Sequence, residues 1–317
     1  MNKDIMIGVL AYNVSSYIED ISEDISSLGI DFVIINDCST DDTYSKLVNL
    51  KEKYNFGIIN NDKNMGAGES TKILIRNAFE NGYKFFIKVD GDGQFKLSDI
   101  NKIINLYNKS NYDFIKSNRF WSGGIEGKIP KKRLFGNLFA TMLLQLSTGT
   151  SKIYDPLNGL FGIKTDIIQH LNKNYPVRYG YPFYITVVAI INHYKTYQVN
   201  NTITYGDQKS KLNPLVVLVT LLKLFIFFYL KKINMKKNIG NLQKSAFFDI
   251  LFLISFFINL YLFVQIILVV NLNIYSLLNP RSLLFLSLIF IFTSLLLFTI
   301  SFREEKSIRN TYIECER

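Results

Sequence analysis

Residues 250–270 and 282–302 each run for 21 positions without a charged side chain. A helix needs about 20 predominantly apolar residues to cross the hydrocarbon core of a bilayer. A core helix of a soluble protein rarely stays apolar all round for that length. Two membrane spans are therefore expected, joined by residues 271–280, which carry no charge. Lys231, Lys232, Lys236, Lys237 and Lys244 precede the first span, and Arg303, Lys306 and Arg309 follow the second. The positive-inside rule then places both termini in the cytoplasm. Residues 214–230 form a shorter apolar segment with Lys223 near its middle. They predict a helix lying at the membrane surface, its lysines toward anionic headgroups, with a third span as the alternative. The first ten residues contain Lys3 and Asp4 and no long apolar stretch, so no signal peptide is expected.

Charge follows the same division. The 317 residues hold 36 Lys and Arg against 26 Asp and Glu, a net of +10. Residues 1–207 account for 23 against 21, a net of +2, and residues 208–317 for 13 against 5, a net of +8. The basic excess thus belongs to the membrane flanks. The remainder is nearly neutral and has no basic stripe, which makes a nucleic-acid binder a poor fit. Two cysteines, Cys38 and Cys315, exclude a disulfide framework, and two histidines, His170 and His193, exclude a His-rich zinc site.

Residues 1–207 alternate strand and helix signals, the pattern of an α/β unit with a mostly parallel sheet. Strands are expected over 5–11, 32–35, 57–60 and 85–89. Helices are expected around 18–28, over 43–54 and over 69–81, with Gly29 and Gly82 placed to end two of them. Asn13, Asp37 and Asp90-Gly91-Asp92 each follow a strand, and in open α/β sheets ligands bind at that edge.

The chemistry centres on Asp90-Gly91-Asp92. Two carboxylates two residues apart on a tight turn are able to hold a hard divalent cation, which prefers oxygen ligands and often shares them with substrate phosphates. Such a cation would neutralise a diphosphate leaving group. Asp37 is expected to meet a base or ribose, and Asp41 to cap the helix over 43–54. Gly66 and Gly68, before the next helix, would let a ligand approach the backbone.

The motifs come in series: Asn13, Ile34 through Asp41, Asn64-Met65-Gly66, Val89 through Gln94, and Asp155-Pro156-Leu157-Asn158-Gly159. This series resembles the family-2 glycosyltransferases of the GT-A fold, in the branch of dolichyl-phosphate mannose synthase and the bacterial polyprenyl-phosphate glycosyltransferases. The resemblance covers about residues 4–212. It implies a Rossmann-like GT-A domain over 1–212, a juxtamembrane interfacial helix and basic linker over 213–245, two spans within 246–302 and a cytoplasmic tail over 303–317. It implies that Tyr12, Asn13, Asp37, Gly66, Asp90 and Gly91 bind the nucleotide-sugar. Asp92, Asp90 and Gln94 would hold Mg²⁺ or Mn²⁺. Asp92, Arg119 and Asp155 would form the catalytic set, and Arg133, Ser210 and Lys211 would meet the acceptor phosphate. Val14, Asn36, Tyr184, Thr186 and Tyr205 depart from the family pattern.

The function so implied is inverting transfer of a sugar from a UDP- or GDP-sugar to a membrane polyprenyl phosphate, by a chain that associates with itself through its spans. One alternative acceptor is a lipid-linked saccharide. A catalytically silent membrane scaffold of the same fold is the alternative outside enzymology.

Overall fold

A computed structural model of the chain describes residues 4–120, 125–126, 131–201, 203–204, 214–237, 243–272, 280–309 and 313–315. Met1–Ile226 with Tyr312–Arg317 form one compact unit, and Phe227–Thr311 a second.

The first unit is built on eight strands. In chain order the elements begin β1 (Ile5–Ala11), α1 (Ile18–Ser26), β2 (Phe32–Asn36), α2 (Thr43–Tyr54), β3 (Gly57–Asn60), α3 (Ala67–Glu80), β4 (Phe85–Asp90), α4 (Leu97–Ser110) and β5 (Phe114–Asn118). They continue with β6 (Ile125–Glu126), α5 (Lys131–Thr148), β7 (Phe161–Lys164), a 3-10 turn, α6 (Tyr181–Ile191), β8 (Thr196–Asn200) and β9 (Ile203–Thr204). The main sheet runs β10-β8-β5-β7-β4-β1-β2-β3, where β10 is Ile313–Cys315, and β6 pairs with β9 separately. Every pairing is parallel except the two made by β7. The mostly parallel sheet expected from the strand–helix alternation is present. α2 and β3 take the expected bounds, and α3 starts two residues earlier.

Parallel pairing explains why the core strands read as unbroken apolar runs, since both faces are covered. Ile5, Ile7, Val9, Ile34, Phe85, Ile87 and Ile115 form one core with Ile18, Ile25, Leu47, Ile100 and Ile103 of the flanking helices. Parallel register also gathers the carboxyl ends of β1, β2, β3, β4, β5 and β8 at one edge: Ala11 pairs with Asn36, Asn36 with Asn60, Leu10 with Asp90, and Asn118 with Asn200. Because β7 runs the other way, its start lies at that edge, and the loop before it brings Asp155–Gly159 there.

α7 (Pro214–Lys237) begins in the first unit and ends in the second. α8 (Gln243–Leu272) and α9 (Pro280–Arg309) follow. Ser245–Ile266 and Arg281–Ser301 are long and apolar enough to cross a membrane, and most of their residues are not buried by the protein. Small polar groups join the pair: the Ser255 and Ser294 hydroxyls lie 2.6 Å apart, and Asn259 Nδ2 donates to Ser294 Oγ at 3.3 Å.

α7 is longer than expected, and its lysines divide. Lys223 and Lys231 are exposed, as a surface helix requires. Lys232 and Lys236 are buried and turn to Asp249 of α8. The expectation that all α7 lysines face headgroups is thus corrected. A buried carboxylate such as Asp249 requires a cationic partner to offset its desolvation, which draws these two lysines inward.

A candidate active site at the strand ends

The loops after β1 and β2 are laced together. Asn13, in the left-handed conformation at φ 53°, takes a hydrogen bond from the Thr40 amide on its Oδ1 at 2.8 Å. Its own amide donates to Ser39 Oγ at 3.0 Å. Asn tolerates this conformation because its short amide bonds locally. The expected nucleotide contacts Tyr12 and Asn13 therefore lie on a fixed rim, with Tyr12 41% exposed. Asp41, expected to cap α2, stands one residue before the N-cap position, which Asp42 fills; its carboxylate accepts the Thr43 amide at 3.0 Å and the Ser15 amide at 3.2 Å and so ties the loop after β1 to the start of α2.

Asp37 does more structural work than the motif suggested. It is only 5% exposed. Its Oδ1 accepts from the Met65 amide and Asn61 Nδ2, both at 2.8 Å, and its Oδ2 from the Gly66 amide at 2.8 Å. The carboxylate holds the loop before α3 in place. The glycines of that loop also carry a correction. Gly66 and Gly68 were expected to leave room for a ligand, but the room is taken by the chain itself. A Cβ on Gly66 would lie 2.6 Å from Arg178 Cγ and 2.8 Å from the Val177 oxygen, and one on Gly68 would overlap the Pro176 oxygen. Tyr175 Oη donates to the Gly68 oxygen at 3.0 Å, and Arg178 Nη1 to Asn64 Oδ1 at 3.0 Å. Gly68→Ala is therefore expected to destabilise the domain by about 1–3 kcal/mol, the range for overpacking, measured as the shift of a urea midpoint at unchanged m.

The D-G-D turn leaves β4 where the sheet needs it. The Gly91 amide donates to the Leu10 oxygen at 2.8 Å, and a side chain at 91 would lie 2.6 Å from that oxygen. Asp92 and Gln94 are both partly exposed, and the Gln94 amide donates to Asp92 Oδ1 at 3.2 Å. Burial, and then the neighbouring Asp90 charge, push the Asp92 carboxyl up to about 6. Asp90 is different. Its Oδ1 is bonded to Lys88 Nζ, which is fully buried on the same strand. One oxygen of Asp90, expected among the metal ligands, is thus already paired with an ammonium. Oxygen donors suit Mg²⁺ and Mn²⁺. The Asp92 carboxylate and the side-chain carbonyl of Gln94 supply oxygens that suit such an ion, the rest of its shell being left for phosphates. Among the described residues no group of three or more His, Cys, Asp or Glu forms a cage.

Arg119 and Asp155 form the other half of the site. Arg119 donates through Nε to Asp155 Oδ2 at 2.7 Å, through Nη2 to Oδ1 at 2.9 Å, and through its amide to Oδ2 at 3.0 Å. Asp155 is fully buried, while Arg119 keeps 17% of its side chain exposed. Asp155, expected in the catalytic set, thus holds Arg119 in a bidentate pair, which fixes a guanidinium in both position and plane. Arg133 lies in the first turn of α5, partly exposed. Ser210, Lys211 and Tyr205 lie outside the described residues.

Sequence reasoning missed two buried lysines. Lys88 of β4 and Lys116 of β5 both pair in register with Phe161 of β7, one on each side. Lys116 Nζ donates to the Asn158 oxygen, and Asn158 Nδ2 returns a bond to the Ser117 oxygen at 3.1 Å. Burial lowers the Lys116 ammonium to about 7; Asp155 opposes this, and the Arg119 and Lys88 charges add to it. The signal was present in Phe-Phe-Ile-Lys-Val-Asp and Phe-Ile-Lys-Ser-Asn, where a lysine interrupts a run that must be buried on both faces.

The departures from the family pattern also find places. Val14 is core, and Asn36 Nδ2 donates to Asn60 Oδ1 at 2.6 Å. Tyr184 and Thr186 are fully buried in α6, where Thr186 Oγ1 donates to the Pro182 oxygen at 2.7 Å.

A family model for glycosyl transferase family 2 matches residues 6–171. The chain belongs to glycosyl transferase family 2. A dolichol-phosphate mannosyltransferase of Pyrococcus furiosus is 24% identical over 262 residues, 80% of this chain and 69% of that one. An uncharacterized protein of Methanocaldococcus jannaschii is 33% identical over 147 residues, 45% of this chain and 62% of its own length. Among solved structures, glucosyl-3-phosphoglycerate synthase of Mycobacterium tuberculosis with Mn²⁺, UDP and glucosyl-3-phosphoglycerate aligns at a TM-score of 0.54 and 16% identity, over 70% of this chain and 80% of that one. The same enzyme with Mg²⁺ and UDP aligns at 0.55, also at 16% identity, over 70% and 79%. The family-2 domain therefore has the GT-A fold.

Proposed function

We propose that this family-2 glycosyltransferase moves a sugar, with inversion, from a nucleoside-diphosphate sugar to a polyprenyl phosphate at the cytoplasmic face of a membrane. The observation that carries the proposal is the presence, in one chain, of the Asp92–Gln94 turn at the strand ends and two apolar helices of membrane length. The mannosyltransferase relative supports it, because its similarity extends over 80% of this chain. So does the pairing of Ile313–Cys315 with Thr196–Gln198. That pairing joins residues from beyond both apolar helices to the sheet, an arrangement that two spans, returning the chain to its starting side, allow.

The residues divide the chemistry. Tyr12 and Asn13 would form the rim for the nucleotide. Asp92 and Gln94 would hold Mg²⁺ or Mn²⁺, which when bound offsets diphosphate charge. Arg119, aimed by Asp155, offers a cation where phosphate charge develops, and Arg133, Ser210 and Lys211 are assigned to the acceptor. A phosphate monoester has a second pKa near 6, on the model of phosphoserine, so it is largely ionised at neutral pH and needs no strong general base. The burial of Asp155 against Arg119 favours this acceptor over a sugar hydroxyl, for which a base would be required.

Membranes carrying the protein, given radiolabelled nucleotide-sugars and polyprenyl phosphate, are expected to form a labelled lipid that mild acid releases. Label that survives mild acid would point to the lipid-linked saccharide acceptor. Absence of any donor-induced rise in melting temperature, with Mn²⁺ present, would favour the silent scaffold.

A further inference from the structure

Lys116 is fully buried in the sheet, paired in register with Phe161 of β7 on one side and Gln198 of β8 on the other. It enters no ion pair among the described residues. Its Nζ donates to the Asn158 backbone oxygen and stands 5.4 Å from the centre of the Phe161 ring. An apolar side chain would fill this place at lower desolvation cost. What the ammonium gives in return is a grip on the D-P-x-x-G turn.

That turn is strapped at both ends. Before it, the Tyr154 amide donates to Gln198 Oε1 at 2.8 Å, and the Tyr154 oxygen accepts from Asn137 Nδ2 and Thr141 Oγ1, both at 2.9 Å. Toward its end stands Asn158, fully buried. Beside the bond from Lys116, Asn158 Nδ2 donates to the Ser117 oxygen at 3.1 Å, and its Oδ1 accepts the Leu160 amide at 3.1 Å. Between the straps lies Asp155, which takes its three bonds from Arg119. Lys116, Ser117 and Arg119, within four consecutive positions, thus each bond to the turn. A shift of the turn carries the carboxylate with it, and the guanidinium follows the carboxylate. Misplacing a catalytic group by about 1 Å can cost about 10²-fold in rate.

We propose that Lys116 and Asn158 are positioning residues that fix the D-P-x-x-G turn to β5 and, through Asp155, set the place of the Arg119 guanidinium. The inference rests on the phosphate role proposed for Arg119 and adds two residues that act through it. Both are fully buried, so neither touches substrate.

The test follows the Arg119 Nε–H resonance of the full-length, isotope-labelled protein in detergent, identified by its absence from Arg119→Ala. Lys116→Met is close to lysine in length and lacks the donor, and it is expected to speed hydrogen exchange at that group tenfold or more. Asn158→Ala, which cuts the bonds to Ser117 and Leu160, is expected to do the same. Should Lys116→Met fail to fold, Lys116→Gln keeps a polar end, draws it back by one bond from the Asn158 oxygen, and is expected to change exchange in the same direction. In transfer from labelled UDP-glucose or GDP-mannose to undecaprenyl phosphate, Lys116→Met is expected to lower kcat tenfold or more. K116M/R119A should then stay within twofold of Arg119→Ala, because a residue that acts through Arg119 has no effect once Arg119 is gone. A lysine needed only for folding would leave exchange in the folded protein unchanged, and its loss would multiply with that of Arg119→Ala. Exchange within twofold of wild type, or multiplying losses, overturns this inference. Full transfer by Arg119→Ala overturns the phosphate role instead, and exchange still decides whether Lys116 and Asn158 hold the guanidinium.

Discussion

Asp92→Asn is expected to lower kcat/KM for transfer by about 10³-fold, on the scale seen when a group stabilising transition-state charge is removed. The variant keeps the volume of the side chain and the acceptor for the Gln94 amide, so the turn should survive. What it loses is the anionic oxygen through which the chain would hold a divalent ion. Mn²⁺ binding should therefore disappear along with transfer, while the melting temperature stays close to wild type. Full activity in Asp92→Asn would end the metal assignment.

A pH dependence accompanies this result. The Asp92 carboxyl sits at about 6 without metal, raised by burial and then by Asp90. A proton and the cation compete for the same oxygens, so Mn²⁺ affinity should be flat above pH 7 and fall about tenfold per pH unit well below 6. The sign for stability is opposite. The folded state holds this proton more tightly than the unfolded chain, whose carboxyl titrates near 3.8. The metal-free protein therefore loses stability from this group as pH rises from about 4 to 6, and added Mn²⁺ should restore it. Calorimetric melts at pH 5 and 7.5, with and without Mn²⁺, measure both effects.

The donor half of this site was legible because parallel sheets put their ligand chemistry where polar residues interrupt apolar strands. Asn13, Asp37 and Asp90-Gly91-Asp92 announce that edge, and the register brings them to it. What the pattern could not convey is which polar atoms are already spent. Asp37 and Asp155 look alike as strand-end carboxylates, yet one ties a loop through three donors and the other aims an arginine. Gly66 and Gly68 look like room for a ligand, but residues 176–178, more than a hundred positions on, come back to fill it. Those contacts are long-range and leave no local periodicity. The stretch after residue 94 was harder still, since the antiparallel β7 and the wholly buried α6 belong to neither alternation.

The same blindness applies to Asp249, which in the sequence merely bounds an uncharged run, and its replacement is the second large effect expected. Asp249 is fully buried. Its Oδ1 accepts from Ser301 Oγ at 2.7 Å and Tyr229 Oη at 2.8 Å, with Lys232 Nζ at 3.5 Å, and its Oδ2 is bonded to Lys236 Nζ. Lys236 also donates to Ser245 Oγ at 2.7 Å and Ser301 Oγ at 3.1 Å. One carboxylate thus joins α7, α8 and α9. Asp249→Ala deprives two buried ammonium groups of it, and breaking a buried ion pair on one side costs about 3–5 kcal/mol. Replacing all three charges together, as K232M/K236M/D249L, should recover most of that loss, because apolar packing substitutes for the network without leaving a bare charge. Detergent-unfolding midpoints of the two variants decide the matter. A wild-type midpoint in Asp249→Ala would show that the three helices hold together without this carboxylate, whereas a loss reversed in the triple variant identifies the uncompensated charge as its cause.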